Sequence, residues 1–406
     1  MIPLDEVQAR VVAGCPPLPA TAVPLAAALG RVLAEAVTAA GDVPPFANSA
    51  MDGYAVRAAD TTAARPDAPA RLRVVGTVAA GAVADRPVGP GEALRIMTGA
   101  PFPDGADAVA VVEVTTADGD DVLVAQPAAA GDHVRPAGED LVAGTEVFPA
   151  GTPLAPGHLG VLASAGRAEV RVVRAPVVGV LSTGDELVEP GAPLGPGQIR
   201  DSNRLTLLGL LRRDGFEAVD LGIARDDEAD IRRRLHTAAE RCDAVLTSGG
   251  VSMGAFDYVR KVLEEVAEMA WVQVAIRPAK PFAFGHLGTT PVFGLPGNPV
   301  SSMVSYEVLA RPALRRMAGF PDGLLHRPVV PAVADDDSLR RRDDGRVNFV
   351  RVVAQVGADG RHHVRSAGGQ GSNLLWPMAL ADALAVVPSG PGVAAGGDTG
   401  VLLLGP

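Results

Sequence analysis

Cysteine is scarce in this 406-residue chain: Cys15 and Cys242 are the only two. Two thiols exclude a disulfide framework and a cysteine-based zinc site. Lysine is as rare, since only Lys261 and Lys280 stand among the 36 cationic residues. Positive charge is outnumbered too, by 47 Asp and Glu, for a net charge of −11. That sign argues against nucleic acid and anionic membrane as partners, because both call for a basic surface. No run of 18 apolar residues is present, and the N-terminus has no basic stretch followed by an apolar one. A soluble cytoplasmic protein is expected.

Glycine (47) and proline (35) are plentiful, and the apolar share of 48% is too high for a disordered chain. The length suggests about two to four domains. Residues 5–40 read as helical. Asp5 can cap the first stretch, and Pro24–Val37 places Leu25, Ala28, Leu29, Val32 and Leu33 on one face. Pro44-Pro45 ends that pattern. Residues 54–150 read as an inserted β domain, with short runs such as Arg71–Val75, Ala108–Val114 and Asp121–Val124 between turn residues. Residues 171–320 repeat strand, loop and helix three times. The strands are Val177–Leu181, Ala244–Thr247 and Pro291–Gly294, and the pattern predicts a parallel sheet with helices on both faces. Residues 326–406 return to strands at Val347–Val353, Ala383–Val387 and Val401–Leu404, in a small barrel or sandwich.

In an open parallel sheet, ligands bind where strand ends feed loops into helices. Three such loops here are rich in Gly, Ser and Thr: Ser182–Glu186, Ser248–Gly250 and Leu295–Pro299. Glycine lets backbone N–H groups approach a phosphate closely. Such turns also serve packing alone, and none matches a P-loop or dinucleotide fingerprint. Glu186, Asp226 and Asp257 sit beside these loops. A carboxylate beside a phosphate needs a cation between them, and Mg²⁺ is the usual bridge. Asp226 and Asp257 also open helices, where a capping Asp is ordinary. Lys280 stands out in Ile276-Arg277-Pro278-Ala279-Lys280-Pro281, where prolines stiffen a segment bearing two cations. Fixed cations suit an oxyanion, although a surface turn would look the same. Asn48–Ala55 and Arg95–Pro101 read as polar turns, with nothing to link them to the α/β segment. The seven histidines show no zinc spacing, and His362-His363 would point to opposite faces of a strand.

Together these stretches resemble the molybdopterin molybdenumtransferase (MoeA) family, related to the C-terminal domain of gephyrin. The matching segments are PPFANSAMDGYAVR, RIMTGAPFPDGADAV, RPAGED, GVLSTGDEL, QIRDSN, TSGGVSMGAFDYV, IRPAKPFAFG, GLPGNPVSS and GGQGS, in the family's order over essentially the whole chain. The resemblance implies a four-part chain. Residues 1–45 and 138–170 would form a discontinuous elongated domain and 46–137 an inserted β domain. Residues 171–325 would form an α/β domain like the molybdopterin adenylyltransferases (MogA-like), and 326–406 a C-terminal β-barrel. It implies insertion of molybdate into adenylylated molybdopterin, with Mg²⁺ as cofactor and release of AMP.

By the same resemblance Asp52, Thr98, Asp140, Glu186 and Lys280 would be catalytic, and Asp226 and Asp257 would hold Mg²⁺. Ser248, Gly249, Gly250, Pro296, Gly297 and Asn298 would cradle the pterin phosphate. Arg277, Ser301, Arg351 and Ser372 would complete a molybdate pocket with Lys280. Asp52, Thr98 and Asp140 would reach the partner's site in a homodimer, and a molybdopterin adenylyltransferase would be a further partner. Two positions depart from the family: Arg277 stands where members often carry lysine, and Gln273 where some do. The substrate dithiolate, not a protein cysteine, would ligate molybdenum.

Two other readings stay open at this stage. The α/β core alone would permit a different enzyme, such as an adenylyltransferase or a nicotinamide-nucleotide amidase relative. NSAMDGYA and MTGAP, outside that core, speak against it, as does SGGVSMG in place of a TGGTG-type loop. The other is a non-catalytic scaffold, as in the family's synaptic relatives; no fused adenylyltransferase segment or long disordered linker is visible.

Overall fold

A computed structural model describes residues 1–251, 258–341 and 343–405. The chain divides into two compact units: Met1–Thr21, Gly30–Ala34 and Arg171–Pro406 form one, and Ala22–Leu29 with Glu35–Val170 the other. The four-part division implied by the resemblance is finer than this.

The second unit is built on a six-stranded sheet in the order Ala108–Val111, Gly53–Val56, Glu92–Ile96, Ala70–Val78, Asp121–Val124, Thr115–Asp118. Alternation along the strands buries both faces. Tyr54, Val56, Ala93 and Ala108 fill one side, and Ala55, Leu94, Ile96 and Val109 the other. Val37–Thr38 pairs with Glu146–Phe148, and Asn48–Ser49 with Val134–Arg135.

The helix expected at Pro24–Val37 is absent. Only Leu4–Ala13 is helical in that region, with Asp5 inside its first turn. Beyond it lie a strand at Ala20–Pro24, a single 3₁₀ turn at Leu25–Ala27 and a short strand at Val37–Thr38. The amides that an α-helix would use internally are taken by distant carbonyls. Leu25 N–H donates to Ala168 (2.9 Å) and Ala34 N–H to Arg171 (3.0 Å). Gly30 turns left-handed at φ +75°, and Leu29, on the supposed core face, is 56% exposed.

In the first unit a six-stranded sheet runs Glu217–Ala224, Val177–Thr183, Ala244–Ser248, Thr290–Leu295, Pro281–Leu287, Glu268–Gln273. The first four strands are parallel, as expected, but the last two are antiparallel. The cause is the turn at Gly288 (φ +62°), where Leu287 pairs directly with Thr290. Two residues allow a hairpin and leave no room for a parallel crossover. Apolar side chains pack on both sides of the sheet, around Val178, Val180, Leu207, Leu211 and Val304 on one and Ile231, Leu235, Val259 and Val262 on the other.

The five strands Val329–Ala334, Val347–Val356, His362–Ser366, Ala383–Val387 and Asp398–Leu403 each bond two neighbours and close into a barrel. Ile276–Arg277 pairs with Val347–Asn348 at its rim. Among the described residues, no helix is long and apolar enough to cross a membrane.

Candidate functional site

The C-terminal ends of the parallel strands open into a cleft of about 460 Å³. Thr183, Gly184, Glu186, Asp226, Gly249, Gly250 and Pro296–Asn298 are among its lining residues. All three glycine loops read from the sequence therefore meet in one place. Packing and close approach both require these glycines. A Cβ on Gly250 (φ +73°) would lie 2.4 Å from Val259 Cβ, while Gly184 is required by its backbone angle, φ +142°, since the nearby Glu186 carboxylate could move aside. Gly297 has only Gly249 Cα, 3.8 Å from its own Cβ position, so the two loops lie backbone to backbone.

The ambiguity over Asp226 is resolved by its neighbour. Asp227 is the cap of helix Glu228–Arg241, accepting from Asp230 N–H at 2.7 Å. Asp226 is thereby released from capping. Among the described residues its Oδ2 accepts only a long bond from Asp185 N–H, at 3.4 Å, and it lines the cleft with Glu186. Neither carboxylate has an ion-pair partner among the described residues. Asp257 lies outside the described residues.

Ser248 ends its strand, buried, and its hydroxyl accepts from Asn203 Nδ2 at 2.8 Å. The same Nδ2 donates to Gly297 O at 2.7 Å. The sequence reading held Asn203 only within the QIRDSN match, so this bridge was missed. Its signal was the polar Asp201-Ser202-Asn203 triplet. Ser202 at the helix start makes no side-chain capping bond, and Asp201 Oδ1 accepts from Arg204 N–H at 3.1 Å.

The cationic residues divide. Lys280 is exposed, while its carbonyl accepts from Val274 N–H at 2.7 Å. Buried Ala279 before it holds φ +75°, rare for a non-glycine residue. Arg277 lies at the barrel rim, 3.7 Å from Asp344, whose carboxyl is held below its usual range by Arg346, with Arg277 behind it. Arg351, expected in the molybdate pocket, is 1% exposed. Its guanidinium donates to Gln370 Oε1 (3.3 Å), Gly371 O (3.0 Å) and Leu374 O (3.1 Å). It therefore shapes the Gly368–Leu374 loop. Ser372 O in that loop accepts from Val300 N–H (3.1 Å), beside buried Ser301.

Asp52, Thr98 and Asp140 belong to the other unit. Asp52 Oδ1 accepts from both the N–H and the hydroxyl of Thr98. Asp140 is exposed, its N–H bonded to Val43 O at 2.9 Å.

Both cysteines are buried. Cys15 packs with Val178 and Val180, whereas Cys242 Sγ lies against Gly179. Burial pushes the Cys15 thiol up to about 12, so it is no nucleophile.

Comparison with known proteins agrees with this architecture. Residues 2–166 match the MoeA N-terminal region (domain I and II), 179–316 a probable molybdopterin binding domain, and 339–404 the MoeA C-terminal region (domain IV). Molybdopterin molybdenumtransferase 2 of Mycobacterium tuberculosis (strain H37Rv) is 40% identical over 375 residues, covering 89% of this chain and 91% of that protein. The molybdopterin molybdenumtransferase of Haemophilus influenzae is 37% identical over 401 residues, covering 98% and 97%. A molybdopterin biosynthesis MoeA protein of Pyrococcus horikoshii superposes with a TM-score of 0.82 at 30% identity, covering 99% of this chain and 100% of that one. The chain belongs to the molybdopterin molybdenumtransferase (MoeA) family, transferases of molybdenum cofactor biosynthesis.

Proposed function

We propose that the protein inserts molybdenum, supplied as molybdate, into adenylylated molybdopterin and releases AMP in a Mg²⁺-dependent reaction. The observation that carries this reading is the meeting of Glu186 and Asp226 with the Gly249–Gly250 and Pro296–Asn298 loops in one cleft. Glycine loops beside carboxylates that have no ion-pair partner among the described residues suit a phosphate held through a divalent cation. Among the described residues there is no group of three or more His, Cys, Asp and Glu that could hold a metal. Two carboxylates suffice for Mg²⁺, which takes its other ligands from water and substrate phosphate. When bound there, Mg²⁺ would neutralise the phosphates and polarise the phosphoryl bond that breaks.

Lys280, with Arg277 near it in sequence, supplies cationic side chains for a tetrahedral dianion. Arg351 and Ser372 act by holding the Gly368–Leu374 loop against the start of the helix that carries Ser301. The substrate dithiolate receives the metal, and Cys15 and Cys242 take no part. The resemblance further supports a homodimer in which Asp52, Thr98 and Asp140 of one chain complete the cleft of the other. It also supports an adenylyltransferase as the source of the substrate, and the sequence, with no long apolar run, favours a cytoplasmic setting. The test is to incubate purified protein with adenylylated molybdopterin, molybdate and Mg²⁺ and measure AMP. AMP release that needs both molybdate and Mg²⁺ is expected; release without molybdate would overturn the coupling.

A further inference from the structure

The geometry points to Asn203 as a positioning residue that fixes Ser248 as a hydrogen-bond donor to the phosphate-bearing substrate. This rests on the function proposed above. Asn203 is the first residue of helix Asn203–Arg213, and its Nδ2 contacts both Ser248 Oγ (2.8 Å) and Gly297 O (2.7 Å). A backbone carbonyl can only accept, so the side-chain atom facing Gly297 must be the amide nitrogen. The orientation of the amide follows from chemistry, and both its protons are used. Ser248 Oγ is then an acceptor toward Asn203, which leaves its own O–H to donate elsewhere. Among the described residues that hydroxyl has no acceptor, although Ser248 is only 3% exposed. A donor so held is matched to an acceptor-only group such as a phosphate oxygen.

The same amide ties two loops together. Ser248 pairs with Leu295 at the end of the strands, and Gly249 N–H donates to Leu295 O at 3.0 Å. Past that point the chains part into the two cleft loops, and Asn203 is the side chain that spans them. Its own position is fixed by an ion network centred on the buried pair Arg204 and Asp201. Arg204, 4% exposed, contacts Asp201 (2.9 Å), Asp220 (2.5 Å) and Glu189 (2.5 Å). Asp201 also accepts from Ser182 Oγ at 3.1 Å, which binds the helix start to the neighbouring strand.

Asparagine is therefore required for its donors and not for its size. Aspartate at 203 would set a carboxylate against Gly297 O and would draw the Ser248 proton to itself. The experiment compares the full-length wild-type chain with Asn203→Asp, Asn203→Ala, Ser248→Ala and the double variant Asn203→Asp/Ser248→Ala. Hydrogen–deuterium exchange in the ligand-free proteins reports the loops, and AMP release kinetics report the donor. Both Asn203 variants should exchange faster at 248–251 and 295–298. Asn203→Asp should raise KM for adenylylated molybdopterin about tenfold, the size expected for one lost bond to a charged group, with a smaller change in kcat. The double variant should be no worse than Asn203→Asp alone, since both remove one donor. Unchanged exchange in both loops, or a double loss equal to the product of the single losses, would overturn the assignment. If the wild-type chain releases no AMP, the proposed function falls, and the exchange data alone decide whether Asn203 positions the loops.

Discussion

Thr98 donates its backbone N–H and its hydroxyl to the same oxygen of Asp52, at 2.7 and 2.8 Å. These bonds, the backbone one first and then the hydroxyl, with Arg95 adding attraction, hold the Asp52 carboxyl below its usual range. An acid whose folded pKa is lowered contributes stability above its unfolded pKa and loses it as pH falls through the folded value. Thr98→Val keeps the N–H bond and removes the hydroxyl. The Asp52 carboxyl should then titrate at higher pH than in wild type, as followed by ¹³C NMR of its side chain. An unmoved titration would show that the hydroxyl does not stabilise the anion.

If Asp52 completes the cleft of a second chain, defects in different chains can complement. An Asp52→Ala chain mixed equally with an Asp226→Ala chain forms mixed dimers with one doubly defective site and one intact site. Half the dimers are mixed and each recovers one of its two sites, so activity should return to roughly a quarter of wild type under two-fold symmetry. Differently tagged chains that co-purify yet stay inactive would place Asp52 in the site of its own chain.

Asp226→Asn keeps the shape of the side chain and removes its charge. Since Asp227 caps the helix, folding should be little affected. Turnover should fall at least about tenfold, with the Mg²⁺ requirement raised, because a lost ligand-to-metal contact is worth more than about 1.4 kcal/mol. Full AMP release after exhaustive EDTA treatment would refute the metal role.

Lys280→Ala should raise the molybdate requirement more than it weakens pterin binding. The ammonium is exposed on its flexible stem, and the backbone clamp to Val274 anchors that stem next to Pro281 of the cleft. Separate titrations of molybdate and pterin substrate decide the matter; equal losses would reject the oxyanion assignment.

Gly250→Ala should destabilise the protein by about 1–3 kcal/mol in urea unfolding, from overpacking and a left-handed backbone. The added methyl would meet Val259 at 2.4 Å, and Val259 is itself buried. A midpoint within error of wild type would mean that the loop can shift away from the helix.

Local chemistry made much of this protein legible. The runs Asp121–Val124 and Ala383–Val387 are strands with the bounds their composition predicts, since apolar residues between turn residues leave little choice. The glycine loops after Val177–Thr183, Ala244–Ser248 and Thr290–Leu295 announced the cleft because a parallel sheet exposes its strand ends there. Long-range pairing decided the rest. Residues 24–37 carry a helical period, yet their amides bond to carbonyls of Ala168 and Arg171, which no local window contains. Which of Asp226 and Asp227 would cap a helix depended on a single backbone direction. Arg351 has the composition of an anion ligand, but the Gly368–Leu374 loop folds around it and uses its protons. Asn203 reaches residues 45 and 94 positions away. Its role arises only when three chain segments converge, because a hydrogen bond is specified by where its partner's atom lies and not by the residue type that makes it.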